Sequence, residues 1–215
     1  MLLTYSNMIT QAKNNLQSLD NVEIIESSLT DVKLPRKVDV IFSNAALHWI
    51  QDHRKAFQNF CEILKPAKDS RNNNDIQLLI QCGGHGNLQQ TITSLQRITH
   101  LDSFKRYFTE WKQPWYFAKP DDTDKLLQEI GYTHRTTYLH SDHVVFPNLQ
   151  TYAKFVKTVV MKPYLERFAV DNDGYKLKTI FLDLFLDENE KCINISKAQW
   201  FLDYVRLNII ADRGS

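Results

Sequence analysis

Residues 38–52, VDVIFSNAALHWIQD, constrain the chain more than any other stretch. An apolar run leaves a charged segment, ends in Ser43 and Asn44, passes two alanines and reaches His48-Trp49. A continuous run of that kind suits a strand (VDVIFSNA, 38–45) buried on both faces of a parallel sheet. Asp52 then caps HRKAFQNFCEILK, where Ala56, Phe57, Phe60, Ile63 and Leu64 form one apolar stripe and Pro66 stops the helix. Strand, small-residue turn and helix therefore follow one another without a spacer.

The same texture recurs on either side. SNMITQAKNNLQS (6–18) predicts a helix that Ser6 can cap, VEIIESSL (22–29) a short strand, and LPRK a turn. The polar tract AKDSRNNND reads as a loop. IQLLIQC (76–82) predicts a further strand that ends at Gly83-Gly84-His85-Gly86. Strands and helices alternating at this spacing indicate an α/β fold with a parallel sheet. In such sheets ligands sit beyond the C-terminal ends of the strands, which places SNAALHW and CGGHGN on the binding edge.

After residue 87 the pattern changes. LQQTITSLQRITHLDSFKRYFTEW reads as helical, and QPWYFAKP sets three aromatics between two prolines. DDTDKLLQEIGY is a helix stopped by Gly131. THRTTYLHSDHVVF (133–146) predicts a strand, 148–187 helices broken at Pro163, and WFLDYVRLNIIA (200–211) a last strand. The helical stretches between these strands would lie as a lid over the binding edge. The expected organisation is thus a core over 1–87, a helical and aromatic lid segment over 88–120, and a helix and strand returning to the core over 121–147. A helical lid over 148–198 and a final core strand over 199–215 complete it.

Composition limits the partners. With 215 residues, 43% hydrophobic and 12% aromatic, the chain can bury one good core, or one core and a smaller lobe. A formal net charge of +1 gives no electrostatic reason for nucleic acid or an anionic membrane. No apolar stretch approaches the roughly 20 residues of a bilayer span, and MLLTYSNMITQAKNN is unlike a secretory signal. Cys61, Cys82 and Cys192 are widely spaced and odd in number, which fits reduced thiols in a cytoplasmic protein. His134, His140 and His143 fall on one predicted strand, but His143 points opposite to the other two, so no metal is expected there.

VDVIFSNAALHWIQDHRKAFQNFCEILKP resembles the central segment of class I S-adenosylmethionine-dependent methyltransferases. Within these it is similar to the small-molecule group containing trans-aconitate methyltransferase and juvenile hormone acid methyltransferase. TYSNMITQA resembles the segment after that family's second strand, IQLLIQCGGHGNL its fifth strand and loop, and LLQEIGY the helix before its sixth strand. PYLERF and YVRLNIIADR resemble the group's C-terminal part.

The resemblance implies a Rossmann-like sheet of order 3-2-1-4-5-7-6 with a helical lid, S-adenosylmethionine as cofactor, and a small-molecule acceptor. The acceptor is expected to be a carboxylate that becomes a methyl ester, in a monomer or dimer. It places Asn44 and Ala45 at the methionine end of the cofactor, with Leu47, His48 and Trp49 facing cofactor or substrate. Ser28 and Leu29 fall where the family contacts adenine, and Thr4 and Tyr5 where it contacts the ribose. His85, Asn87, Trp115 and Tyr116 are candidate substrate contacts, and His48 and Trp49 the candidate catalytic pair.

The family's first strand and glycine-rich loop would precede residue 1, so the resemblance implies a truncated or shortened methyltransferase. Thr4 stands where an acidic residue usually holds the ribose, Ser28 where an Asp usually meets adenine, and LKPAKDSRNNND replaces a shorter LKPGG turn. These departures leave a second function open, a non-catalytic remnant serving as a binding or oligomerisation module. Plainer roles also stay open for three motifs. His48-Trp49 would plug the strand end, GGHGN would be a simple turn, and the QPWYFAKP aromatics would be lid core.

Overall fold

The computed structural model describes residues 6–66, 76–169, 172–197 and 200–214. Two compact units emerge. Unit 1 comprises residues 1–84, 115–139 and 207–215, and unit 2 residues 85–114 and 140–206. The described strands are β1 (Ile41–Asn44), β2 (Leu78–Gly83), β3 (Tyr132–Phe146) and β4 (Trp200–Arg213), in the sheet order β1-β2-β4-β3. That is the expected run 4-5-7-6 of the family order. β1 and β2 are parallel, with Ile41 opposite Leu78 and Asn44 opposite Gln81. Each of the two long strands, β3 and β4, contributes one half to each unit.

In unit 1 the helices are α1 (Ser6–Leu16), α2 (His53–Ile63) and, later in the chain, α4 (Pro120–Ile130). Asp52 caps α2 as its sequence position suggests, accepting the Lys55 N–H at 2.9 Å. The apolar stripe of α2 then enters the core. Ala56, Phe57, Phe60 and Leu64 pack with Leu47, Leu78, Ile80, Cys82, Leu127 and Tyr132. Tyr132 donates its hydroxyl to the Phe57 carbonyl at 2.9 Å, which satisfies a polar atom that burial would otherwise penalise. Pro120 opens α4 and Gly131 closes it in the left-handed region, at φ +103°.

Two expectations need correction in this unit. VEIIESSL is not a strand; residues 22–28 run without regular structure. A strand exists only as part of a ladder, and this segment finds no β partner among the described residues. VDVIFSNA is not buried on both faces. Only Ile41–Asn44 is ladder, Val38 makes a lone bridge to Leu64, and Phe42 is 69% exposed. Among the described residues β1 lies at the sheet edge with one face uncovered, so its alternate side chains meet water. The loop AKDSRNNND falls at 67–75, outside the described residues, as do Thr4 and Tyr5.

Unit 2 holds α3 (Gln89–Thr99), α5 (Leu149–Phe155), α6 (Lys162–Leu165) and α7 (Asn172–Lys197). The long helix expected from residue 88 stops at Thr99, and only Lys105–Tyr107 returns to a 3-10 turn. Phe104 is fully buried at the start of that turn and meets Phe181 edge to face at 5.1 Å. Burying that ring takes precedence over continuing the helix. Further on, the break expected at Pro163 is spread over two features. Val156–Val160 forms a π turn, and Pro163 sits in the first turn of α6, where its missing N–H costs no bond. Phe168 and Phe181 pack against Phe104, and Tyr164 and Phe185 are buried in the same unit.

The start of α3 is held from β4. Leu88 adopts φ +53° and donates to the Asp203 carbonyl at 2.9 Å, while the Gln90 N–H reaches the Asp203 carboxylate at 3.1 Å. Burial raises the Asp203 carboxyl above its usual range and the Gln90 N–H opposes the rise. No described helix is long and apolar enough to cross a membrane.

Candidate active site

The site in unit 1 is built from the turn that follows β1. Ala45 donates its N–H to the Gln81 carbonyl at 2.8 Å, the last rung of the β1–β2 pair, and then turns left-handed at φ +56°. A non-glycine residue adopts that conformation at a cost, so the surroundings must hold it. Leu47 supplies the anchor. It is 0% exposed and pulls the 3-10 turn Leu47–Trp49 into the core, with Trp49 N–H on the Ala46 carbonyl at 3.0 Å and Ile50 N–H on that of Leu47 at 2.9 Å. Asn44 and Ala45 stay exposed, while His48 and Trp49 are partly buried.

His48 is fixed from two sides. Its Nδ1 accepts the Gly83 N–H at 3.0 Å, at the end of β2, and its carbonyl accepts the Tyr116 N–H at 2.8 Å. The segment QPWYFAKP is thereby tied to the turn through its backbone, and its rings complete an aromatic wall. His48 lies 5.5 Å from Trp49 and 6.0 Å from Phe117 between ring centroids, and Trp49 lies 5.7 Å from Trp115. Trp115 stacks on Phe117 at 6.0 Å and 9°.

His53 supports the turn from below. Its Nε2 donates to the Leu47 carbonyl at 3.2 Å, and its ring meets Tyr116 edge to face at 4.7 Å. Burial pushes both imidazoles down to about 4, and for His48 the neighbouring His53 adds to the effect.

The other candidates take varied positions. Ser28 hydrogen-bonds Thr30 through its hydroxyl at 2.7 Å and is half-buried; Leu29 packs against the unit 1 core. Trp115 is 7% exposed and Tyr116 40% exposed. His85 and Asn87 belong to unit 2. Asn87 is buried and accepts the Val205 N–H at 2.9 Å, while His85 is exposed.

The glycine loop divides between two roles. A Cβ on Gly84 would meet Leu139 at 2.6 Å and Leu207 at 2.8 Å, so Gly84 is required by packing. Gly86, at φ +84°, is the turn residue. Nothing in the sequence singles out His53 as a site neighbour, and Phe117 stands there only among the QPWYFAKP aromatics. His53 looks like an ordinary first-turn residue, and only the bond to Leu47 gives it a place in the turn. Among the described residues, no group of three or more His, Cys, Asp or Glu could hold a metal ion.

In sequence and in fold the chain is similar to known proteins. Residues 4–68 match the methyltransferase domain family. An uncharacterized methyltransferase of Schizosaccharomyces pombe is 26% identical over 186 residues, covering 81% of this chain and 62% of that protein. The malonyl-[acyl-carrier protein] O-methyltransferase of Calditerrivibrio nitroreducens is 26% identical over 142 residues, 60% of this chain and 55% of that enzyme. The chain therefore spans little more than half the length of these curated relatives.

Among solved structures, loganic acid methyltransferase with SAH superposes with a TM-score of 0.59 at 12% identity, covering 96% of this chain and 72% of that one. The YcgJ protein of Bacillus does so with a TM-score of 0.54 at 13% identity, covering 97% and 80%. At such identities the likeness is one of fold. The fold is the α/β Rossmann-like methyltransferase fold, and residues 4–68 match the methyltransferase domain family.

Proposed function

We propose that the protein transfers a methyl group from S-adenosylmethionine to the carboxylate of a small-molecule acid, giving a methyl ester. The observation that carries this reading is the wall of His48, Trp49, Trp115 and Phe117 at the ends of β1 and β2. The sulfonium of the cofactor supplies an electrophilic methyl carbon. Aromatic rings attract such a cation by about 0.5–1 kcal/mol at exposed sites and about 2 when desolvated. The exposed Asn44 and the left-handed Ala45 open the strand end beside them and would hold the methionine end. Ser28 is the matching candidate for adenine.

A carboxylate needs no proton removed before it attacks, so positioning supplies most of the catalysis. Two malonyl-[acyl-carrier protein] O-methyltransferases among the relatives favour a carboxyl oxygen as acceptor. Trp49 and His48 would contact the reacting groups, with Trp115 and Tyr116 beside them.

A second reading draws on the face of β1 and β2 where, among the described residues, Phe42 and Leu79 are exposed, with the exposed Val40 just before β1. Such a face suits a binding or oligomerisation module without turnover. Titration calorimetry with S-adenosylmethionine separates the two, followed by transfer of a tritiated methyl group to malonyl thioesters and free dicarboxylic acids. Saturable binding with label in a base-labile ester is the expected result. Transfer only to amines or hydroxyls overturns the carboxylate assignment, and absence of cofactor binding favours the module.

A further inference from the structure

Two hydrogen bonds in the turn after β1 settle where the protons of its histidines reside. A backbone N–H can only donate, so the Gly83 N–H, 3.0 Å from His48 Nδ1, requires that nitrogen to carry a lone pair. A neutral imidazole has one protonated nitrogen, and in His48 it is therefore Nε2. The Leu47 carbonyl can only accept, so His53 Nε2, 3.2 Å away, must also bear its proton. Among the described residues Nε2 of His48 has no hydrogen-bond partner, although the ring is held on its other side and flanked by Trp49 and Phe117.

We propose that His48 is an N–H donor, not a base: Nε2 hydrogen-bonds the acceptor's anionic oxygen and selects acceptors that arrive already ionised. The assignment rests on the methyl-transfer reading above. In the step it serves, a lone pair of the carboxylate oxygen forms the new O–C bond to the methyl carbon. The C–S bond breaks with its pair going to sulfur, and the sulfonium becomes a neutral thioether. No proton is released, so none has to be accepted.

A hydroxyl or ammonium acceptor would have to lose a proton at or before attack. His48 cannot take it at Nε2, which is occupied, or at Nδ1, which faces Gly83. Accepting a proton would also turn Nδ1 into a donor pointing at another donor and break the bond that orients the ring. Burial works in the same direction and holds the ring neutral down to about pH 4. The titratable side chain beside it is His53, whose own proton is committed to Leu47.

The test has two arms. Long-range nitrogen–proton correlation spectra of the histidine-labelled protein, unmodified, should show His48 with Nε2 protonated and Nδ1 bare from pH 8 to pH 5.5. An Nδ1–H tautomer, or an imidazolium forming near pH 6.5, overturns the proposal without reference to turnover.

In the kinetic arm, His48→Gln keeps an amide that can accept from Gly83 and donate to substrate. It should hold kcat/KM for a carboxylate acceptor within about threefold, whereas His48→Phe should lose about 10–100-fold, the scale of one hydrogen bond to a charged group. The loss should fall chiefly on KM, because the oxygen loses its charge as the O–C bond forms. The wild-type profile should have no acidic limb, a fall in kcat/KM toward low pH, that His48→Gln abolishes. If His48→Gln falls as far as His48→Phe, or such a limb exists, His48 is a base and the proposal fails. If the tautomer is as assigned but the unmodified protein methylates no acceptor, it is the methyl-transfer reading that fails.

Discussion

His48 within the aromatic wall and His53 beneath the turn are held as neutral rings, and their cost is visible in how stability should depend on pH. Both are pushed from an ordinary 6.5 down to about 4 by burial. In the unfolded chain they take up protons near pH 6.5, while the folded chain does not until about pH 4. The unfolded state thus binds more protons in that window. The stability they permit is complete above pH 6.5 and declines as the pH falls toward 4, by about 1.4 kcal/mol per pH unit for each group. Urea midpoints at pH 7.5, 6 and 5 check this. His53→Gln should show a shallower slope by one proton between 6.5 and 4, and an unchanged slope would contradict the assignment.

Little of this was readable at residue level in the sequence. The pair His48-Trp49 stood out because an imidazole and an indole follow a strand end. Yet the proton positions depend on Gly83 and Leu47 atoms that only the folded chain brings within 3.2 Å.

At the scale of elements, glycines of the same type answer to different forces. Gly131 closes α4 at φ +103° with open space around a would-be side chain. Gly131→Ala should therefore cost about 1 kcal/mol, the left-handed penalty alone. Gly84 carries no such φ, but a Cβ there meets Leu139 and Leu207, including the Leu207 backbone N at 3.0 Å. Gly84→Ala should cost about 1–3 kcal/mol through overpacking and should also loosen the neighbouring strand β4. Equilibrium denaturation ranks the two, and amide exchange at Leu207 locates the second. A Gly131 variant as damaging as the Gly84 variant would mean that the space around α4 is misjudged.

The sequence foretold Gly131, because a glycine after a periodic helix has one usual meaning. It did not foretell Gly84, since a contact across 55 residues to Leu139 leaves no local mark. The same distinction explains α2 and the segment 22–29. α2 carries its cap, stripe and stop within 15 residues, and all three recur in the structure. VEIIESSL has the composition of a strand, but a strand is defined by its neighbour, and among the described residues it has none.

For the whole molecule, each unit has its own buried centre. Unit 1 closes around Phe57, Leu78 and Tyr132, and unit 2 around Phe104, Phe181 and Phe185. Phe181 is 0% exposed and touches Phe104, Phe108, Phe168 and Tyr164. Phe181→Ala should remove about 3–5 kcal/mol from unit 2. Hydrogen exchange should report it as lost protection in α3 and α7, with the β1–β2 amides as the internal comparison. Protection lost first in β1 and β2 would overturn the assignment of Phe181 to a separate core.

By itself the sequence determined the class of fold and most of its helices and strands, because periodicity, caps and breakers act over a few residues. It also marked the stretch SNAALHW, because small residues and an imidazole at a strand end are a local signature. The tertiary structure alone decided which strand lies at the edge, which ring nitrogens hold their protons, and which glycine is a turn and which a packing necessity. Those properties belong to contacts between residues far apart in the chain, and no local pattern encodes them.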